Sequence, residues 1–135
     1  LNTSKIKIVA KLAVYLLALI IMVGCGSGVR IVDVHERANG QTIQMKSGEI
    51  LQVHLPSDPI NGYSWQVQTV NPLYLEASKD VEYTPVGKDP VAGGTEVLNF
   101  RTLKTGTTLL ELVYKRASGE GVSLPKYFQV TVEIQ

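Results

Sequence analysis

Phe128, Val130, Val132 and Ile134 are large and apolar, and Gln129, Thr131 and Glu133 between them are polar. A helix would spread those four side chains around its circumference, whereas a strand puts all of them on one face. The same period of two governs Leu110, Leu112 and Tyr114, then Leu98, Phe100 and Thr102, and then Leu51, Val53 and Leu55. Burying one such side chain is worth roughly 1.5–3 kcal/mol, so these rows are core and carry no functional assignment. Turn residues punctuate them: Ala38-Asn39-Gly40, Lys46-Ser47-Gly48, Asn71-Pro72 and Lys104-Thr105-Gly106. Val29 to Val34 is β-branched and predicts a strand at a sheet edge. Thr42 to Met45 predicts another, and Tyr74 to Tyr83 contains a weaker one. Thr84 to Gly94 and Arg116 to Leu124 read as loops. The pattern predicts an all-β, antiparallel sandwich of about seven short strands.

The first residues follow a different rule. Lys5, Lys7 and Lys11 precede an apolar run from Leu12 to Val23, followed by Gly24 and Cys25. The run is shorter than the roughly 18 apolar residues of a spanning helix, and a basic start with small residues at its end describes a signal peptide. Met22-Val23-Gly24-Cys25 resembles a bacterial lipobox, whose cysteine becomes the lipidated first residue of the mature protein. Residues 1–24 are therefore expected to be removed. Cys25 would carry lipid, Gly26-Ser27-Gly28 would be a flexible tether, and 29–135 would form one exported domain held to a membrane outside the cytoplasm. Cys25 is the single cysteine, so no intramolecular disulfide can form.

Losing Lys5, Lys7 and Lys11 leaves ten of the thirteen basic residues against twelve acidic ones, a formal charge of −2. No basic stripe remains to neutralise phosphates, which argues against nucleic-acid binding. The catalytic inventory is equally thin. His35 and His54 are the only histidines, and each reads as a solvated strand residue without a partner at useful spacing. With Cys25 committed to lipid there is no thiol for a cysteine–histidine pair, and no Gly-x-Ser-x-Gly elbow is present. Metal-ligand spacing and phosphate-cradling glycine motifs are absent, so no cofactor is expected. The dispersed acids read as solvated strand faces. The chain is not expected to be an enzyme.

Loops remain. Ser57-Asp58-Pro59-Ile60-Asn61-Gly62-Tyr63-Ser64-Trp65 starts as a loop and ends as a strand. Pro59 fixes its own φ, Asn61-Gly62 tolerates positive φ, and Tyr63, Trp65 and Val67 then alternate with polar residues as one buried face. A large indole just past a tight turn anchors the exit and holds Ile60 and Asn61 out stiffly. Such a preorganised tip loses little entropy on binding. In a sandwich of this order, Pro56–Gly62, Thr84–Gly94 and Arg116–Leu124 should gather at one end.

Three motifs in order give a resemblance to a known family. Asp58-Pro59-Ile60-Asn61-Gly62-Tyr63-Ser64-Trp65 resembles the Asn-Pro-Thr-Thr-Gly-Tyr-x-Trp motif of the chagasin family of cysteine-peptidase inhibitors. Val91-Ala92-Gly93-Gly94-Thr95, followed by Phe100, is similar to that family's Gly-x-Gly-Gly loop and the strand after it. Thr107 to Arg116 is similar to the strand that delivers its Arg-Pro-Trp loop, and Tyr127 to Val132 to its last strand. The resemblance implies an immunoglobulin-like fold and reversible, non-covalent inhibition of papain-like cysteine peptidases. It places Pro59, Ile60, Asn61 and Gly62, with Tyr63 at their exit, across the active-site groove. Ala92, Gly93 and Gly94 would meet one rim and Arg116 the other, and the inhibitor is expected to act as a monomer. The chain departs from the pattern at Asp58, at Ile60-Asn61, and most of all at Ala117-Ser118, where the Pro-Trp pair is missing. A weaker or narrower inhibitor is the expectation from that loss. A lipid-anchored, immunoglobulin-like binding or adhesion module with no effect on peptidases is the competing reading, since sandwiches carry many functions.

Overall fold

A computed structural model describes residues 3–8, 26, 28–116 and 124–135. Residues 3–8 are helical; among the described residues from Ile31 onward, regular structure is strand or one of three short 3-10 turns, Glu36–Ala38, Pro59–Asn61 and Pro90–Ala92. Nine strands follow among the described residues: β1 (Ile31–His35), β2 (Thr42–Met45), β3 (Ile50–Ser57), β4 (Tyr63–Thr69), β5 (Leu75–Ala77), β6 (Glu82–Pro85), β7 (Gly94–Thr102), β8 (Gly106–Arg116) and β9 (Lys126–Ile134). One sheet has the order β1-β3-β7-β5, with β6 also paired to β7, and the other β2-β9-β8-β4. The weak strand expected between Tyr74 and Tyr83 is thus two short strands, β5 and β6, sharing the outer side of β7.

The sandwich reading holds, with one difference. β1 pairs with β3, and β2 with β9, in parallel. The chain runs up one sheet in β1, crosses at residues 36–41 and runs down the other in β2, so each of these two edge strands lies beside a partner of the same direction. The remaining pairings are antiparallel.

The predicted rows face one another between the sheets. Leu51, Val53, Leu55, Leu98 and Phe100 meet Leu110, Leu112, Phe128, Val130 and Val132, all buried. The row on β4 is shorter than expected. Trp65 is buried but Val67 is 40% exposed, because β4 is an edge strand whose register slips between Val67 and Thr69. A bulge there turns the strand end away from the core.

The acidic residues are not all solvated. Glu49 and Glu96 are buried, and both are held by hydrogen bonds rather than left bare, as buried carboxylates must be. The histidines also differ from expectation. His35 and His54 are register partners on β1 and β3 with ring centroids 4.9 Å apart, and His54 Nε2 lies 3.0 Å from Asp33. They tie the parallel edge strand to its neighbour.

Candidate functional site

The chain leaves the first sheet at Ser57 and enters the second at Tyr63, so residues 58–62 make the crossing. Pro59–Asn61 form a single 3-10 turn, closed by the Gly62 N–H donating to the Pro59 carbonyl at 3.0 Å. Gly62 has φ 80°, a left-handed conformation that costs any residue with a Cβ. The Asn61 side-chain amide donates to the Asp58 carboxylate at 2.5 Å, so the two ends of the turn are clasped. Asp58 therefore keeps the turn-forming role of the asparagine it replaces.

Groups outside the turn fix its position. The Tyr114 hydroxyl on β8 accepts the Asp58 N–H at 2.8 Å. Its ring lies 5.6 Å from that of Tyr63 and 5.1 Å from that of Trp65, distances at which aromatic pairs attract. Arg116, at the end of β8, donates through Nε to the Asn61 carbonyl at 3.3 Å. Its guanidinium stands 5.4 Å from the Tyr63 ring centre, within cation–π range. The Trp65 indole donates to the Pro56 carbonyl at 2.9 Å.

Glu96 lies beneath this layer. It projects from β7, yet its carboxylate accepts the Ser57 hydroxyl at 2.5 Å and the backbone N–H of Trp65 at 2.9 Å. One buried side chain thus fastens the end of β3 to the start of β4 on the opposite sheet. Pro56 sits past the last pair between β1 and β3, His35 with His54, so the donor it lacks is not missed on that side.

The second loop closes on itself. The Val86 N–H donates to the Gly93 carbonyl at 2.9 Å, and the Asp89 carboxylate accepts the Val91 N–H at 2.9 Å. Ala92 is exposed beside Val91. A Cβ on Gly93, whose φ is 76°, would stand 3.3 Å from the Ser57 carbonyl, so this loop leans on the base of the first. Gly94 differs from expectation. It is buried, and a Cβ there would lie 2.4 Å from the Thr84 carbonyl and 2.6 Å from the Tyr83 ring. Its lack of a side chain serves packing of β7 against β6.

On the other flank, a Cβ on Gly62 would lie 3.6 Å from Arg116 Cγ. Arg116 and Leu124 bound the third loop; Ala117 and Ser118 lie outside the described residues, as does Cys25. The second loop adjoins the first, and the described ends of the third, Arg116 and Leu124, lie on the first loop's other flank. Ile60, Val91 and Leu124 are 54%, 70% and 91% exposed, placing one apolar side chain on each loop. Tyr114, Ser57 and Glu96 were not singled out by sequence reasoning, although all three carry the site's rigidity.

A double sheet with two adjoining loops and the ends of a third at one pole, and no group of His, Cys, Asp or Glu able to hold a metal among the described residues, is the class of fold and site found here. Comparison with known proteins makes this specific. The model of the chagasin family peptidase inhibitor I42 matches residues 44–132, a span that contains all three loops. Chagasin of Trypanosoma cruzi is 32% identical over 82 residues, covering 58% of this chain and 74% of chagasin. The cysteine protease inhibitor EhICP2 from Entamoeba histolytica superposes with a TM-score of 0.68 at 20% identity, over 82% of this chain and 100% of that one. PbICP-C, solved in complex with falcipain-2, gives 0.55 at 14% identity, over 78% of this chain and 99% of that one. The last two establish likeness of fold. The chain belongs to the chagasin family of peptidase inhibitors. It is accordingly an inhibitor and not an enzyme.

Proposed function

We propose that the domain inhibits papain-like cysteine peptidases reversibly, by inserting the turn at Pro59–Gly62 across the catalytic groove while the second and third loops straddle it. The observation that carries this reading is the clamp on the first loop. Tyr114, Arg116, Trp65 and the Asp58–Asn61 clasp hold it from several sides. A loop fixed before binding loses little entropy on binding, and a wedge that cannot relax keeps its carbonyls out of attack geometry. No bond to the peptidase forms; shape and backbone hydrogen bonds block the nucleophile. Ile60 is the residue placed deepest in the groove, Val91 and Ala92 meet one rim, and Arg116 meets the other. Falcipain-2, the partner of the related PbICP-C, supports this choice of target class.

The test is titration of papain with residues 26–135. Stoichiometric loss of activity is expected, abolished by Gly62→Glu in protein that still unfolds cooperatively. Full inhibition by that variant would remove the first loop from the groove.

We further infer that residues 1–24 are a signal peptide and that Cys25 is lipidated, holding the exported domain to a membrane through residues 26–28. The basic start, short apolar run and Met22-Val23-Gly24-Cys25 support this. Incorporation of labelled palmitate in a bacterial host, lost in Cys25→Ala, checks it.

A further inference from the structure

The strand directions give the sandwich two distinct poles. β3, β6 and β8 end at the three loops, while β2, β4, β7 and β9 run away from them. The far pole therefore collects the turn after β2, the link after β4, the turn after β7, the end of β9 and the residues leading into β1. These segments are knitted together. The Arg30 carbonyl accepts the Ile50 N–H at 3.0 Å, and the Leu103 N–H donates to the Tyr74 carbonyl at 2.8 Å. The Ser47 hydroxyl donates to the Leu103 carbonyl at 2.5 Å, and the Thr102 hydroxyl to the Lys46 carbonyl at 2.6 Å.

This firm platform exposes Arg30, Lys46 and Lys104. Val29, Leu73 and Leu103 are 52%, 69% and 40% exposed on the same segments. Of the side-chain carboxylates on these segments, Glu49 is buried and already taken by Arg30 at 3.3 Å and by the Lys46 N–H at 2.8 Å. Glu133 lies a rung back from the pole beside Gln44, and Glu76 is the register partner of Arg101. The surface presented outward is basic with apolar points.

We propose that this pole rests on an anionic lipid surface, so that the peptidase-binding loops face away from the membrane. The proposal rests on the reading of Cys25 as lipidated. Residues 26–30 reach at most about 17 Å between that cysteine and β1, which keeps the pole within about two Debye lengths of the headgroups. Each Lys or Arg so placed favours the docked state about fivefold, equivalent to about 1 kcal/mol, while Leu73 and Leu103 enter the interface. β8 runs from this pole to the loops, and its 11 residues span about 36 Å. The loops then lie beyond the reach of the surface charge. The partner they fit is a soluble peptidase, or one carried by a facing surface.

The test uses the full lipidated chain in phosphatidylcholine vesicles with or without phosphatidylglycerol. A fluorophore is placed on Leu103→Cys or on Ile60→Cys, and headgroup-attached spin labels act as quenchers. Quenching at position 103 and not at 60, dependent on phosphatidylglycerol and reversed by salt, is the expected result. Lys46→Gln and Lys104→Gln should each lower the ratio of docked to undocked protein about fivefold, with the chain still vesicle-bound and papain inhibition by otherwise native protein unchanged. Equal, weak quenching at both positions in vesicle-bound protein would overturn the docked pole and leave the lipid anchor standing. Absence of lipid on the N-terminal peptide by mass would overturn both.

Discussion

Glu96 of one sheet accepts the backbone N–H of Trp65 of the other at 2.9 Å, and this bond crosses the sandwich directly beneath the turn at Pro59–Asn61. Replacing Glu96 by Ala strands that N–H in a buried setting, at a cost of about 1–3 kcal/mol, and leaves the Ser57 hydroxyl only the Tyr63 carbonyl at 3.5 Å. We expect a lower urea midpoint together with weaker papain inhibition. Glu96→Gln, which keeps an acceptor, should lose less on both measures. An alanine variant as stable as the parent would show that the brace is not needed.

Tyr114→Phe removes one hydroxyl and keeps the aromatic stack. The Asp58 N–H then loses its acceptor at 2.8 Å, and a single hydrogen bond of this kind is worth about 0.5–1.5 kcal/mol. Because the loss falls on loop position, the inhibition constant should rise about two- to tenfold while the thermal midpoint moves little. Equal losses in stability and inhibition would assign Tyr114 to the core alone.

Two glycines in the loops should respond differently to Ala. At Gly62 the new Cβ has room, its nearest neighbour being Arg116 Cγ at 3.6 Å, so the cost is that of the left-handed conformation, about 1–2 kcal/mol. At Gly94 the Cβ would meet backbone at 2.4 Å, and β6 must part from β7. Gly94→Ala should therefore be the more damaging to folding, measured by denaturant titration. The reverse order would contradict the packing around Tyr83 and Thr84.

Acid should weaken the far pole. The Lys46 N–H, aided by Arg30 and opposed by burial, holds the Glu49 carboxyl below the ordinary carboxylate range. The stability it contributes is complete above the ordinary carboxylate pKa and is lost as pH falls through the depressed value. Denaturant midpoints measured against pH should show this loss in the parent and not in Glu49→Gln. Parallel profiles would remove Glu49 as its source.

The missing Pro-Trp pair gives a gain-of-function test. A buried interface tryptophan can contribute about 2 kcal/mol or more, so Ala117→Pro with Ser118→Trp should tighten papain inhibition more than tenfold. No gain would mean that the third loop of this chain engages its target in another way.

The strand rows were legible because burial on one face writes a period of two into the residues. The loop at Pro59–Gly62 was legible because few residues accept its dihedrals. Glu96 was not, although it shares the phase of Leu98, Phe100 and Thr102, because its charge argued for solvent. Only the donors on Ser57, in its own sheet, and on Trp65, in the other, explain it. Tyr114 likewise closes the row of Leu110 and Leu112, and nothing local says that its hydroxyl reaches Asp58. The pairing of His35 with His54 depends on which strand lies beside which and in what direction, information no single strand contains. Val67 misled because alternation persists in a strand whose partner has already slipped.

The outer side of β7 is covered by β5 and β6, of three and four residues, where one continuous strand would have fitted. An incoming chain seeking a template along that flank finds only short runs of free amides, too brief to seed cross-β stacking. On this side the domain can be crowded at high density without zipping to its neighbours.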